Sequence, residues 1–158
     1  MLLAQIGVTG PLEATTIKYN YWILTTPIIL IQLCELLDGM EMATWVVMLD
    51  VATMVTGLIA WIVGTESPIR WIMFGVSCLA ATLLFAIVFV LFFLNHQMLS
   101  GAGYLKEQRI YLVIAGIYFP GWLLIILVWL FGFEGLGYMG ENQMAAAHVL
   151  IDICGELN

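Results

Sequence analysis

Charged side chains are scarce in this chain. Only 4 lysines and arginines and 11 aspartates and glutamates occur among 158 residues, so 9% of the residues are charged and 63% are hydrophobic. A soluble domain carries roughly 25% charged residues, and this chain could not cover a globule with polar surface. The net charge of −7 argues against nucleic acid as a partner, because such proteins need a basic surface. The composition predicts an integral, multi-pass membrane protein in contact with a lipid bilayer.

Cysteines and motifs of enzymatic chemistry are also few. Cys34, Cys78 and Cys154 are odd in number and widely spaced within apolar runs. Buried structural thiols are therefore expected rather than disulfides or metal ligands. The sequence has no glycine-rich phosphate loop, no nucleophile elbow and no Ser/His/Asp set that it places together. We predict neither enzymatic activity nor a metal site.

Long apolar runs organise the chain. A helix needs about 20 apolar residues to cross a bilayer, and the longest polar connection between such runs is residues 95–109. The fold predicted is all-α and integral to the membrane, a single transmembrane domain over residues 1–158. The last segment, at about 16 residues, is too short to span comfortably. About five spans are predicted, at about 19–37, 43–63, 69–94, 110–131 and 143–158.

A proline interrupts the first predicted span, in the sequence Thr25-Thr26-Pro27. Proline inside a helix leaves a backbone carbonyl without its partner, and in lipid that carbonyl needs a partner within the protein. Thr25 and Thr26 are placed to offer hydroxyls nearby. The segment is thus expected to line a site between helices.

Ionisable residues at membrane depth are candidates for function. Asp50 lies in the second span and is expected either to hydrogen-bond Thr26 structurally or to act in function. His148, Asp152 and Glu156 are spaced i, i+4, i+8 in the last segment, on one helix face. One helix cannot complete a metal shell, so a paired or protonated carboxylate is the expected state. Lys18 is a plausible partner for one of these carboxylates, and Glu156 could instead reach water.

Several runs resemble a known family in order and spacing. The run from Tyr19 to Leu30 resembles the third helix of the microbial (type 1) rhodopsins, the retinal-binding pumps, channels and sensors. Asp50 to Gly57 is similar to the fourth helix of the channelrhodopsin branch, and Phe74 to Ala80 to the fifth. Phe119-Pro120 resembles the sixth helix, and His148 to Asp152 the start of the seventh. The resemblance implies helices three to seven of a seven-helix bundle, with the last helix truncated.

The resemblance also implies roles for individual residues. Asp50 and Thr26 would form a helix-bridging pair that influences gating in channel members. Asp152 would be the counterion carboxylate of the last helix, in a counterion region with Tyr21 and with Lys18, where the family usually has an arginine. The residues implied to face retinal are Trp22, Thr25, Thr26, Thr53, Ser77, Cys78, Phe119 and Asp152.

Four positions depart from the family pattern. The primary carboxylate position is Tyr21, the proton-donor position is Gln32, and a tryptophan that packs on retinal corresponds to Gly116. The lysine that forms the Schiff base corresponds to Glu156, and an imine needs an amine held at the pocket. Covalent attachment of retinal and outward proton pumping by the usual route are therefore not expected.

Two classes of function follow. The first is a light-sensing or light-gated ion-transport protein of this family, in an incomplete or non-retinylated form. The alternative is a chromophore-less, rhodopsin-derived structural or accessory subunit of a larger membrane complex, for example a photosynthetic or respiratory assembly. Since the first two family helices have no counterpart in the sequence, protein partners or missing helices are expected to cover exposed faces.

Overall fold

The computed structural model describes residues 11–63, 66–132, 136–140, 143, 146 and 147. Within this part of the chain the secondary structure is entirely helical, which confirms the all-α prediction. A short 3₁₀ turn, Met40–Met42, lies between the first two helices. The α-helices whose bounds lie within the described residues are α1 (Pro11–Leu36), α2 (Ala43–Ile62), α3 (Pro68–Gly101) and α4 (Leu105–Phe131).

Three helical segments of the described part are long and apolar enough to cross a membrane. They are Met40–Ile62, Pro68–Gly101 and Leu105–Phe131. Helix α1 is also long, at 26 residues, but Asn20, Gln32 and Glu35 make it more polar. The chain is thus an integral, multi-pass membrane protein.

The helices extend beyond the apolar runs that predict them. Helix α1 begins at Pro11 rather than near residue 19, α3 continues to Gly101 rather than 94, and α4 begins at Leu105 rather than 110. Residues 95–109, expected to form a polar connection, are therefore mostly helical, and only Ala102–Tyr104 lies between α3 and α4. Hydropathy identifies only the part of a helix that is compatible with lipid. A helix can continue beyond that part, because polar residues such as Lys106 and Gln108 are good helix formers. Of the fifth predicted segment, only residues 143, 146 and 147 are described.

The chain forms two compact units, Met1–Phe93 and Leu94–Asn158. In the first unit α1 packs against α2. Each helix buries one face, with residues three or four positions apart as helical geometry requires. The buried faces comprise Thr26, Leu30, Leu33, Cys34 and Leu37 before the turn, and Val46, Asp50, Met54, Gly57 and Ala60 on α2.

The turn between α1 and α2 fixes how these helices meet. Asp38 has a positive φ of 48°, and the Gly39 N–H donates to the Cys34 carbonyl at 2.8 Å while Asp38 N–H donates to Glu35 at 3.1 Å. This is the Schellman arrangement that ends a helix. A β-carbon on Gly39 would lie 2.7 Å from a Leu91 methyl group of α3. Any side chain at this position would thus require Leu91 to shift.

Candidate functional site

A buried hydrogen bond joins α1 to α2 near the middle of both helices. Thr26 Oγ1 lies 2.6 Å from Asp50 Oδ2, and the two side chains are 8% and 1% exposed. The same Thr26 oxygen lies 2.8 Å from the Trp22 carbonyl oxygen. The structure thus brings together two residues that the sequence singles out, Thr26 and Asp50, and ties them to the backbone of a third, Trp22.

The number of hydrogens available at this junction indicates the protonation state of the Asp50 carboxyl group. The Thr26 hydroxyl has one hydrogen, but an ionised Asp50 and the Trp22 carbonyl would both be acceptors. A neutral Asp50 satisfies both contacts, because its Oδ2–H donates to Thr26 Oγ1 and Thr26 donates to Trp22. Asp50 Oδ1 is buried without a hydrogen-bond partner in the described part of the chain, which would be costly for a carboxylate. The geometry therefore fits a carboxylic acid.

The hydroxyls beside Pro27 bond within their own helix. Thr25 Oγ1 donates to the Tyr21 carbonyl at 3.0 Å, as Thr26 contacts Trp22 four residues before it. Pro27 has no N–H, so the Ile23 carbonyl four residues before it lacks its helical donor. The carbonyls of Tyr21 and Trp22 come just before that of Ile23. The two threonines therefore bond the carbonyls of Tyr21 and Trp22 and not the Ile23 carbonyl that Pro27 leaves without a donor.

A second junction joins α1, α2 and α3. Ser77 Oγ donates to the Thr53 carbonyl at 2.8 Å, which links α3 to α2. A β-carbon at Gly57 would lie 3.4 Å from Ser77 Oγ and 3.5 Å from the Tyr19 hydroxyl. Tyr19 also contacts Trp22 edge-on, with ring centroids 5.8 Å apart. Small residues such as Gly57 and Ser77 let membrane helices approach closely.

Tyr19 and Gly57 were not among the predicted site residues. A glycine in the interior of an apolar helix is a signal of close packing, and it could have identified Gly57. Nothing in the local pattern of α1 identifies Tyr19, because its contact depends on how three helices come together.

The wall of α2 and α3 near these junctions presents little free hydrogen-bonding capacity. Thr53 Oγ1 donates to the Leu49 carbonyl at 2.8 Å and Thr56 Oγ1 to Ala52 at 2.6 Å. The Cys78 carbonyl accepts a hydrogen bond from Thr82 Oγ1 at 2.8 Å. With these hydroxyls occupied, Thr53 and Thr56 offer their methyl groups, and Cys78 adds a half-buried thiol.

In the second unit, aromatic side chains surround Pro120 on α4. Tyr118 contacts Phe119 edge-on at 5.3 Å between ring centroids and Trp122 at 6.3 Å. At Gly116, the position implied to hold a tryptophan, a β-carbon would have no atom within 4 Å among the described residues other than the neighbouring backbone of its own helix. The predicted residue Phe119 thus lies in an aromatic cluster of its own helix.

Other predicted site residues are exposed or lie outside the described part. Tyr21 and Gln32 on α1 are exposed. The Lys18 side chain and residues His148, Asp152 and Glu156 lie outside the described part, so the counterion region remains a prediction.

The residues that the resemblance implies to face retinal include three half-buried side chains of α1, α2 and α3, none of which carries an amine. Trp22, Thr53 and Cys78 offer aromatic, methyl and sulfur surface. The lysine whose side chain is described, Lys106, is exposed in the first turn of α4. An imine would need an amine held at the pocket, and the described side chains do not provide one there.

Comparison with known proteins identifies the relatives of this chain. The model of a family described as bacteriorhodopsin-like protein matches residues 3–155. Sensory rhodopsin-1 from Halobacterium sp. (strain SG1) is 27% identical over 158 residues, which cover 98% of this chain and 60% of the relative. The chain thus spans about 60% of the length of that curated relative.

Solved structures agree on the fold. The bromide-bound form of halorhodopsin from Halobacterium salinarum matches with a TM-score of 0.70 and 27% identity, over 86% of this chain and 54% of that structure. The red light-activated channelrhodopsin Chrimson matches with a TM-score of 0.73 over 87% of this chain and 48% of that structure. Its identity is 20%, so this second likeness shows the fold alone.

Proposed function

Because the chain belongs to the bacteriorhodopsin-like family of microbial rhodopsins, we propose that it serves light sensing or light-gated ion transport, with α1, α2 and α3 forming one wall of a retinal-type site. We further propose that these 158 residues do not bind retinal covalently. The Thr26–Asp50 pair carries the first proposal, since a buried acid bonded across two membrane helices is expensive and is retained chiefly at functional positions.

Relatives of two kinds support this range of functions. One is named a sensory rhodopsin, and another, at 27% identity, is described as "Halorhodopsin, a light-driven chloride pump". Fold alone does not choose between sensing and transport, because function resides in the site. Tyr21 and Gln32 replace both carboxylates of the usual proton route, which favours sensing or gated conduction over proton pumping in this chain.

The absence of covalent attachment is argued from the lysines. The sequence has lysine only at positions 18 and 106, and glutamate stands at 156. Lys106 is exposed near the start of α4. Lys18 lies four residues before Trp22 and eight before Thr26, which is about two helical turns away from the Thr26–Asp50 bond. A polyene against Trp22, Thr53 and Cys78 would therefore be held by apolar contact.

The visible absorption spectrum after addition of all-trans retinal tests this proposal. We expect the natural chain in lipid to give no hydroxylamine-sensitive visible band, because no imine forms. Glu156→Lys supplies an amine at the implied Schiff-base position and should create such a band, whereas Glu156→Gln should not. A hydroxylamine-sensitive band in the natural chain would contradict the non-covalent proposal. Failure of Glu156→Lys to create one would count against the retinal-type wall.

We also propose that protein covers the exposed apolar face of α1, formed by Tyr21, Leu24 and Ile28. These residues are spaced i, i+3, i+7 on one side of the helix, and Leu24 is 71% exposed. A nitroxide label at Leu24 should show low accessibility to oxygen in lipid bilayers. Leu79 on α3, 61% exposed, is the matched control and should be accessible. Equal accessibility at both positions would assign the α1 face to lipid.

A further inference from the structure

The turn between α1 and α2 exposes large apolar side chains at the membrane surface. Met40 and Met42 of the 3₁₀ turn are 53% and 38% exposed, and Trp45 in the first turn of α2 is 60% exposed. They lie at the start of Met40–Ile62, a segment long and apolar enough to cross a membrane, and therefore near the boundary between lipid and water. Methionine adapts to varied binding partners, and tryptophan is enriched at binding hot spots.

Three carboxylates accompany these apolar side chains. Glu35, Asp38 and Glu41 follow one another at intervals of three residues, and all three are exposed. Among the described residues their side chains make no hydrogen bond or ion pair, and residues 19–69 contain no lysine or arginine that could balance them. The surface of this turn is thus both apolar and negative. The turn surface is defined here as Glu35, Asp38, Met40, Glu41, Met42 and Trp45.

Backbone hydrogen bonds hold the turn surface in a fixed shape. The Gly39 N–H donates to the Cys34 carbonyl at 2.8 Å, and the Met42 N–H donates to the Gly39 carbonyl at 2.9 Å. Leu37 is 1% exposed, so its side chain anchors the turn within the first unit of the chain. A partner would meet a surface that is ordered in advance, which lowers the entropic cost of association.

We propose that the turn surface docks a basic amphipathic helix of a partner protein that lies along the membrane surface. The two methionines and Trp45 contact the apolar face of this helix, and the three carboxylates face its lysines or arginines. A basic amphipathic helix suits this location, because its apolar face is buried at the lipid boundary while its charged face is turned to water. The docking does not depend on retinal or on a light-dependent function.

Other occupants match the turn surface less well. Anionic lipid headgroups would be repelled by three exposed carboxylates, whereas basic segments are attracted to negative surfaces. A second copy of this chain offers little positive charge, because its exposed cations among the described side chains, Lys106 and Arg109, flank Glu107. Charge complementarity therefore favours a basic segment from another protein.

Binding of a defined peptide tests the proposal. The probe is a synthetic helical peptide of leucine and lysine with leucines at i, i+3, i+4 and i+7. The protein is the full chain in nanodiscs of phosphatidylcholine, a lipid without net charge. We expect tighter binding to these nanodiscs than to empty ones, with an affinity that falls as salt screens the carboxylates. Equal affinity for loaded and empty nanodiscs would assign the peptide to lipid and overturn the proposal.

Charge variants locate the binding surface. Glu35→Gln combined with Glu41→Gln should weaken peptide binding about tenfold, the effect of losing two exposed ion pairs. Glu66→Gln is the control, because it removes an exposed carboxylate from the connection at the other end of α2. This control should bind as the natural chain does. Unchanged affinity in the double variant, or an equal loss in Glu66→Gln, would contradict docking at the turn.

Apolar variants test the other half of the surface. Met40→Ser combined with Met42→Ser should weaken binding about tenfold, because apolar contact area is lost. Met98→Ser changes an exposed methionine of α3 outside the turn surface and should have no effect. A photoreactive group on the peptide should cross-link to residues 35–45, as identified by mass spectrometry. Cross-links confined to other parts of the chain would overturn the proposal.

Discussion

The Thr26 hydroxyl oxygen lies 2.6 Å from Asp50 Oδ2 across the α1–α2 interface, and the other Asp50 oxygen is buried without a partner in the described part of the chain. A single threonine hydrogen must therefore serve two contacts unless Asp50 brings a hydrogen of its own. This relationship leads to the first two predictions.

Removing the Thr26 hydroxyl should destabilise the protein. Thr26→Val keeps the shape of the side chain but leaves a second Asp50 oxygen buried without a partner, which costs about 1–3 kcal/mol. Thr26→Ser keeps the hydroxyl and should lose much less of the free energy of unfolding. The free energy of unfolding in lipid or mild detergent measures the difference, and equal stability of Thr26→Val and the natural chain would show that the bond contributes nothing.

Infrared spectroscopy should detect Asp50 as a neutral acid. A protonated carboxyl group has a C=O stretch distinct from that of a carboxylate, and we expect this band at neutral pH. It should be absent in Asp50→Asn and shifted in Thr26→Val, because the acid then loses its acceptor. A carboxylate band assigned to Asp50 at neutral pH would contradict the hydrogen count at this junction.

Two glycines should respond differently to the same substitution. At Gly57 the β-carbon of alanine meets Ser77 and Tyr19 at 3.4 and 3.5 Å, ordinary contact distances, and helix propensity favours alanine by about 1 kcal/mol. At Gly39 it meets a methyl group of Leu91 at 2.7 Å, so the Leu91 side chain must shift from its rotamer at a cost of about 0.5–1.5 kcal/mol. Thermal unfolding should rank Gly57→Ala above Gly39→Ala, and the reverse order would contradict the packing described for α3.

The left-handed conformation of Asp38 predicts a stabilising substitution. Its φ of 48° costs roughly 1–2 kcal/mol for an ordinary L-residue, somewhat less for aspartate, and nothing for glycine. Asp38→Gly should therefore raise the free energy of unfolding by up to about 1 kcal/mol, offset in part by greater freedom of the unfolded chain. Asp38→Val should lower it, and Asp38→Asn, which tolerates this conformation, is the matched control.

The sequence anticipates the class of protein better than the details of its contacts. Long apolar runs are sufficient to predict an all-α membrane fold, because a span of about 20 apolar residues suits a helix. The Trp-x-x-Thr-Thr-Pro run at Trp22 and the His148–Asp152 spacing carry the resemblance to the family. Hydropathy does not predict the helix ends around Asn95–Arg109, since it detects lipid-compatible surface and not helical backbone. The Ser77–Thr53 hydrogen bond and the approach of Tyr19 to Gly57 depend on how the helices pack. Local sequence patterns do not predict such contacts.

Intact-mass spectrometry after borohydride reduction tests the central claim most directly. The natural chain in lipid would be incubated with all-trans retinal and reduced, which converts any imine into a stable secondary amine. The lysines of this chain, Lys18 and Lys106, are not expected to hold retinal, so the mass should remain that of the unmodified chain while Glu156→Lys gains one retinyl group. A stoichiometric retinyl adduct on the natural chain would contradict non-covalent binding at the wall of α1, α2 and α3.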